Sequence, residues 1–535
     1  MKRRQLLRQL GAAIPAVALS PYARAADALT QTGTGTIAAG PFAPTWDSLA
    51  KYQTPDWFRN AKFGIWAHWG PQCEPEHGDW YARGMYEEGS AHYRYHVEKY
   101  GHPSKFGFKD VIHQWKAERW DPEALLALYK KAGAKYFMAL ANHHDNLDLY
   151  NSRYQPEWNS TRVGPGKDLV GGWSRAARAN GMRFGVSVHA ARAWTWFEAA
   201  QRADKSGPYA GVPYDGNLTR ADGKGTWWEG MDPQALYAQS HSLGVAIPDK
   251  AYCDKFFNRT RDLIDHYDPD MVYFDDAVLP LFPFSDAGLR LTAHLYNRSI
   301  AKKGRNEAVV NGKILNEQQR RSMVWDIERG QSHQIEPLPW QTCTCIGSWH
   351  YDRSVYNNKT YKSAQTVVHT LIDVVSKNGN LLLSVPVRGN GSIDEQERAI
   401  VEEIGRWMAV NGEAIYDTRP WAVYGEGPVA LAGAATPMSG ASFNEGKGKP
   451  FSAADVRFTA KGNTVFAFVM GWPETGKVSI EAMGSASAHL SGPVQRVELL
   501  GTERALAFEQ TAQGLQVTLP PNMPALAYAC ALKIS

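Results

Sequence analysis

Residues 267–276, Tyr267-Asp268-Pro269-Asp270-Met271-Val272-Tyr273-Phe274-Asp275-Asp276, read as a short apolar strand that ends in a carboxylate. Three other apolar runs end in histidine. Phe63-Gly64-Ile65-Trp66-Ala67 leads into His68, Tyr136-Phe137-Met138-Ala139-Leu140-Ala141-Asn142 into His143-His144-Asp145, and Phe184-Gly185-Val186-Ser187-Val188 into His189. One strand with a polar end means little. Four that end in acid or imidazole point to a TIM-type barrel, which keeps its active site at the C-terminal ends of its strands.

Working outward, eight strand-like runs alternate with helical ones between residues 45 and 416. The strands fall near 63–67, 135–141, 183–188, 271–275, 308–311, 323–327, 341–346 and 380–387. They are short and apolar, as strands covered on both faces must be. Helices are expected at Asp121 to Lys131, Leu169 to Ala179, Ala251 to His266, Ala287 to Lys303, Gln365 to Lys377 and Asp394 to Val410. Asp-Pro opens the first, and Gly181 and Gly412 follow the second and the last. This alternation predicts an α/β fold closed as a (β/α)8-like barrel. Long connections at about 70–120 and 197–249 each follow a strand and so belong on the active-site face. The second, with Trp227-Trp228, is a candidate wall of a substrate cleft. After Tyr416, short alternating runs at 455–459, 464–469, 477–480, 494–500 and 515–519 are separated by Gly, Pro and Asn turns. They predict a C-terminal antiparallel β-sandwich over 417–535.

The N-terminus reads as an export signal over residues 1–25. Lys2-Arg3-Arg4 precedes the short apolar stretch Leu10 to Leu19, and Ala23-Arg24-Ala25 is a cleavage pattern. The apolar stretch is too short to span a membrane, so no membrane insertion is expected after its removal. A linker is expected at 26–44, and the location is periplasmic or secreted. Removing the signal takes five basic residues and no acid, so the formal charge of +4 becomes about −1 and nothing argues for nucleic acid. Five cysteines make no disulfide framework and read as buried thiols. Nineteen Trp suit either a large core or stacking on sugar rings.

A carboxylate at the mouth of a barrel can attack an anomeric carbon while a second carboxyl protonates the leaving oxygen. Asp275 is the candidate nucleophile. Asp276 points to the other side of the strand. Glu328, closing Met323-Val324-Trp325-Asp326-Ile327, is the candidate acid/base. In the alternative, Asp275 caps a helix and Glu328 pairs with Arg329 on the surface. The histidines could bind sugar hydroxyls, be satisfied core groups, or ligate zinc through His68, His144, His189 and Asp275. Adjacent strand residues diverge, so one metal ion is not expected to take both His143 and His144.

Over most of residues 45–421 the chain resembles the α-L-fucosidases of glycoside hydrolase family 29. The resemblance rests on an ordered set of short motifs. They include Lys62-Phe63-Gly64-Ile65 through His68-Trp69-Gly70, Asp79-Trp80-Tyr81, Gly133-Ala134-Lys135-Tyr136 leading to His143-His144-Asp145, and Trp158-Asn159-Ser160. Further along are Tyr273-Phe274-Asp275, Ser348-Trp349-His350-Tyr351, Lys377-Asn378-Gly379-Asn380 and Asn411-Gly412-Glu413. The resemblance implies a retaining exo-acting fucosidase acting on fucosylated oligosaccharides or glycans. It puts the nucleophile on Asp275, and His68, His143 and His144 on fucose hydroxyls. It makes Asp79 and Trp80 a sugar-contacting pair and lays Trp349 against the apolar side of the sugar. No metal or cofactor is implied. His189 stands where the family commonly has a Tyr-containing run, and is carried as a further sugar contact. A zinc hydrolase and a catalytically silent sugar-binding protein are the rival readings. The sequence leaves the fucosyl linkage open.

Overall fold

A computed structural model describes residues 35–238, 247–431, 444–502, 504–522 and 524–535. The expected signal peptide and residues 26–34 lie outside these. Among the described residues, no helix is long and apolar enough to cross a membrane.

Eight parallel strands close into a barrel: β1 Phe63–Ala67, β2 Tyr136–Asn142, β3 Arg183–Val188, β4 Met271–Phe274, β5 Val309–Gly312, β6 Val324–Glu328, β7 Trp340–Cys345 and β8 Gly379–Ser384. β8 pairs back to β1, with Trp66 opposite Ser384. The strands are buried almost throughout, which is why each reads as an apolar run. Gly64 makes room inside the barrel for Tyr136, whose ring would lie 2.3 Å from a Cβ there. The Tyr136 hydroxyl crosses to Gln341 Oε1 at 3.0 Å.

The outer layer holds α1 Pro122–Lys131, α2 Leu169–Ala179, α3 Lys250–Tyr267, α4 Ala287–Lys303, the short α5 Glu317–Ser322, α6 Ala364–Ser376 and α7 Glu395–Asn411. Asp121 caps α1 by accepting from the Ala124 N–H, and Pro122 sits where no N–H is needed. The β6–β7 connection, 329–339, carries no helix. Its prolines, Pro337 and Pro339, cannot continue one. Residues 35–44, within the expected linker, pack on α4: the Asn297 side chain bonds both the N–H and the carbonyl of Phe42, at 3.0 and 2.9 Å.

The C-terminal part forms two antiparallel sheets. One has the order β13-β16-β11-β10-β9 and the other β12-β15-β14. Their strands are β9 Arg419–Glu426, β10 Val456–Lys461, β11 Thr464–Val469, β12 Lys477–Ile480, β13 Val497–Leu499, β14 Phe508–Gln510, β15 Leu515–Thr518 and β16 Cys530–Ile534. β9, β14 and β16 were not among the expected runs. β9 contains Pro420, which an edge strand tolerates.

A buried charge cluster clamps the two parts together. Arg457 on β10 donates to Asp373 on α6 at 2.6 Å, and Lys377 donates to the other carboxylate oxygen at 2.6 Å. Arg457 is 1% exposed and lies over the Phe451 ring. Removing one partner strands the others in a dry interface. Arg457→Ala is expected to cost about 3–5 kcal/mol in urea unfolding. A loss below about 1 kcal/mol would contradict this account of the interface.

Candidate active site

Asp275 is the first residue beyond β4. Its N–H donates to the Val188 carbonyl at 3.3 Å, which extends the β3–β4 ladder by one residue and fixes where the carboxylate sits. His189, just past β3, meets Asp275 Oδ2 through Nδ1 at 3.0 Å. His144 donates Nδ1–H to the His189 carbonyl at 2.7 Å and brings Nε2 to 3.4 Å from the same Asp275 oxygen. Lys313, following Asn311-Gly312 at the end of β5, bridges the two candidate carboxyls. Its Nζ donates to Asp275 Oδ1 and, at 2.5 Å, to Glu328 Oε2.

These contacts set the protonation states. Burial alone would push the Asp275 carboxyl up, but the Lys313 ammonium, with His189 and His144, holds it well below the usual carboxylate range. Burial alone would lower the Lys313 amine, and Asp275 and Glu328 hold it well above its ordinary value. Burial lowers His189 to about 4 against the pull of Asp275. His189 is therefore neutral near pH 7. Because Asp275 can only accept, the His189 proton sits on Nδ1. Nε2 is left as a buried acceptor with no partner among the described residues.

A wall of imidazoles faces this centre. His68 stacks on Trp66, with centroids 4.9 Å apart, and its two ring nitrogens are buried without a hydrogen bond among the described residues. His143 accepts at Nδ1 from Gln72 at 2.8 Å, and Gln72 also donates to Asp145 at 3.0 Å. Burial first, then neighbouring imidazoles, holds both His68 and His143 well below the usual histidine value. Asp79 accepts from the main-chain N–H groups of Trp349 (3.3 Å) and His350 (2.7 Å). It thereby seats the Trp349 ring 5.5 Å from both Trp66 and His68. Trp80 is 54% exposed, in a left-handed conformation (φ 66°). Buried imidazole nitrogens with nothing to bond are what a polyhydroxylated ligand can satisfy.

The expectation that His143 and His144 diverge is corrected. β2 ends at Asn142, so both leave the strand in a turn, and their rings lie 4.6 Å apart. Among the described residues, two trios could hold a metal ion, His68–His143–His350 and His143–His144–His189, with ligand atoms within 4.8 Å of one another. Glu328 pairs with Lys313, and Arg329 pairs with Glu445 instead. Asp276 turns away to Arg192, at 3.1 Å. Trp227 and Trp228 are engaged by protein partners. Trp227 stacks on His113 and donates to Asp110 at 2.8 Å, while Trp228 is buried, so the pair ties one long connection to the other. Two buried acids reinforce that tie. Asp204 accepts from His102 at 2.9 Å and from Tyr93 at 2.5 Å, and Asp215 from Tyr86 at 2.5 Å and Lys109 at 3.2 Å.

A family model described as alpha-L-fucosidase matches residues 29–413, and one for the alpha-L-fucosidase C-terminal domain matches 449–535. The chain belongs to the α-L-fucosidase family. The tissue alpha-L-fucosidase of Rattus norvegicus is 28% identical over 504 residues, covering 92% of this chain and 91% of the rat protein. A crystal structure of the Thermotoga maritima alpha-fucosidase superposes with a TM-score of 0.67 at 26% identity, covering 92% of this chain and 100% of that one. A complex of the Thermotoga enzyme with fucose gives 0.67 at 25% identity, again covering 92% and 100%.

The candidate site brings together Asp275, Glu328, His68, His143, His144, His189, Asp79 and Trp349. Sequence reasoning missed Lys313, Gln72 and His350. The rule that found Asp275, a polar residue just past a barrel strand, also fits Lys313. One expectation follows from the His189 contacts. In a ¹⁵N-histidine-labelled sample, His189 is expected to show the neutral Nδ1–H form from pH 5 upward and to titrate at about 4. Protonation near the ordinary value of about 6.5 would contradict the assignment.

Proposed function

We propose that this chain is an exported retaining exo-α-L-fucosidase, in which Asp275 is the nucleophile and Glu328 the acid/base. The observation that carries the reading is the Lys313 bridge. One ammonium bonded to both carboxyls limits their nearest oxygens to two hydrogen-bond lengths, about 5 Å. Retaining pairs lie roughly 5–5.5 Å apart and inverting pairs roughly 6.5–9.5 Å.

The bridge also supports a charge argument. In the first step Asp275 attacks C1 of a terminal α-L-fucosyl unit, and Glu328 gives its proton to the leaving oxygen. Asp275 loses its charge to the ester as Glu328 gains one. Water then attacks C1, Glu328 takes its proton, and Asp275 leaves as the carboxylate. Lys313, bonded to both carboxyls, stays beside the pair as the negative charge passes from Asp275 to Glu328 and back, which leaves little charge to be reorganised. His68, His143, His144 and His189 are assigned to fucose hydroxyls, Asp79 and Trp80 to the rim, and Trp349 to the apolar side of the sugar. The natural substrate is a fucosylated oligosaccharide or glycan, and the reaction uses no metal. Export rests on the basic, apolar and Ala-x-Ala pattern of residues 1–25.

With an aryl α-L-fucoside, Asp275→Asn is expected to fall to about 10⁻⁴ of wild-type turnover or less, and azide to restore part of it in the Asp275→Gly variant. Turnover should survive EDTA, and ¹H NMR should show the α-anomer of L-fucose forming first. Loss with EDTA or a β-anomer product would overturn the reading. Lys313→Met removes the main charge that keeps Asp275 ionised. The acid limb of kcat/KM is then expected to move up by about 1–3 pH units, and an unmoved limb would contradict the role given to Lys313.

A further inference from the structure

The connection between β9 and β10, 427–455, begins and ends in the sandwich, yet residues 444 and 445 lie against the barrel beside Glu328. The two family matches leave 414–448 uncovered. Glu445 Oε1 accepts from Lys362 Nζ at 2.6 Å and from the Thr344 hydroxyl at 2.5 Å, and Oε2 accepts from Arg329 Nε at 3.0 Å. The main chain docks as well. Glu445 N–H donates to the Arg329 carbonyl at 3.0 Å. The Asn444 side chain accepts from the Gln331 N–H at 2.8 Å and donates to its carbonyl at 2.9 Å.

The place reached is the helix-free corner between β6 and β7. Arg329 follows Glu328 directly and is held at φ 46°, a conformation a non-glycine side chain adopts only when its surroundings impose it. Thr344 follows Cys343, the register partner of Glu328. Glu445 thus holds the residue that follows the candidate acid/base and the neighbouring strand β7 beside it. It also meets two cations, Arg329 and Lys362. Burial would raise its carboxyl, but Lys362 and three side-chain hydrogen bonds hold it below the usual range. Arg329 is next to Glu328 in the chain and within electrostatic reach of Asp79. Deprived of Glu445, its guanidinium has two functional carboxyls to turn to.

We propose that Glu445, delivered by the sandwich, is a positioning residue for Glu328. It pins the reversal at Arg329 and keeps that guanidinium off the acid/base, so that Glu328 reaches Lys313 and the leaving oxygen. The inference rests on the acid/base reading of Glu328.

The test uses the full chain: wild type, Glu445→Gln, Glu445→Ala, Glu445→Ala with Arg329→Gln, and Glu328→Gln. Each is assayed on methyl α-L-fucoside, which needs its leaving group protonated, and on an activated aryl α-L-fucoside, which does not. Glu328→Gln should lose about 10²–10⁴-fold in kcat/KM on the methyl fucoside and little on the aryl one. Glu445→Gln and Glu445→Ala should lose about 10-fold or more on the methyl fucoside and less than about 3-fold on the aryl fucoside. Adding Arg329→Gln should recover most of the loss. If Glu445→Ala does not fold, the isosteric Glu445→Gln variant is read alone. Equal losses on both substrates, no loss, or no recovery on removing Arg329 would overturn the inference while Glu328→Gln still discriminates. Equal losses in Glu328→Gln would overturn the acid/base reading, and the inference with it.

Discussion

Two carboxyls side by side at the mouth of a barrel repel one another when both are charged, and here the Lys313 ammonium stands between them. The lysine side chain is 12% exposed, and its ammonium is bonded to Asp275 and Glu328 at once. Taking an ammonium out of water is costly, and only two well-placed acceptors offset that cost. The position therefore depends on three strand ends meeting: β4 for Asp275, β5 for Lys313 and β6 for Glu328. A slip of one residue in any of these strands would turn its side chain to the outer face. The closed register of the barrel is what the chemistry rests on.

Much of the barrel was legible because strands buried on both faces must be apolar throughout, and because helices announce their ends. All eight strands and the six long helices stand within a few residues of where the alternation put them. The site was legible where it follows the strand-end rule: Asp275, His68, His189 and Glu328 each lie at or just past a strand. Lys313 obeys the same rule, one residue past β5, but was passed over because a lysine after a four-residue strand is ordinarily a surface residue and nothing local marks it as buried. His350 was hidden for another reason. It lies beyond β7 in the loop, and its place is fixed by Asp79, far away in the chain. Trp227 and Trp228 show the limit of composition, because loop aromatics pack on a protein as readily as on a sugar, and here their partners are His113 and Asp110.

The surroundings of the site are held by buried charges and hydroxyls. Asp204 and Asp215 each draw donors from both long connections, so the two walls above the barrel are tied to each other. Asp373, between Arg457 and Lys377, does the same for the sandwich. This fixes the sandwich on the barrel, and through residues 444 and 445 the sandwich also reaches the β6–β7 corner. In the proposed reading the imidazole wall meets the same terminal sugar in every case, so selection among fucosyl linkages falls to the connections that rise over the strand ends.

The central claim is that Asp275 becomes covalently attached to the sugar. The most direct test is to incubate the enzyme with 2-deoxy-2-fluoro-α-L-fucosyl fluoride, which forms a glycosyl-enzyme quickly and loses it slowly, and to map the adduct by mass spectrometry of peptides. The account predicts one fluorofucosyl group per chain, on the peptide holding Tyr273-Phe274-Asp275-Asp276 and localised to Asp275. An adduct on another residue, or a fully active enzyme that accumulates none, would contradict it.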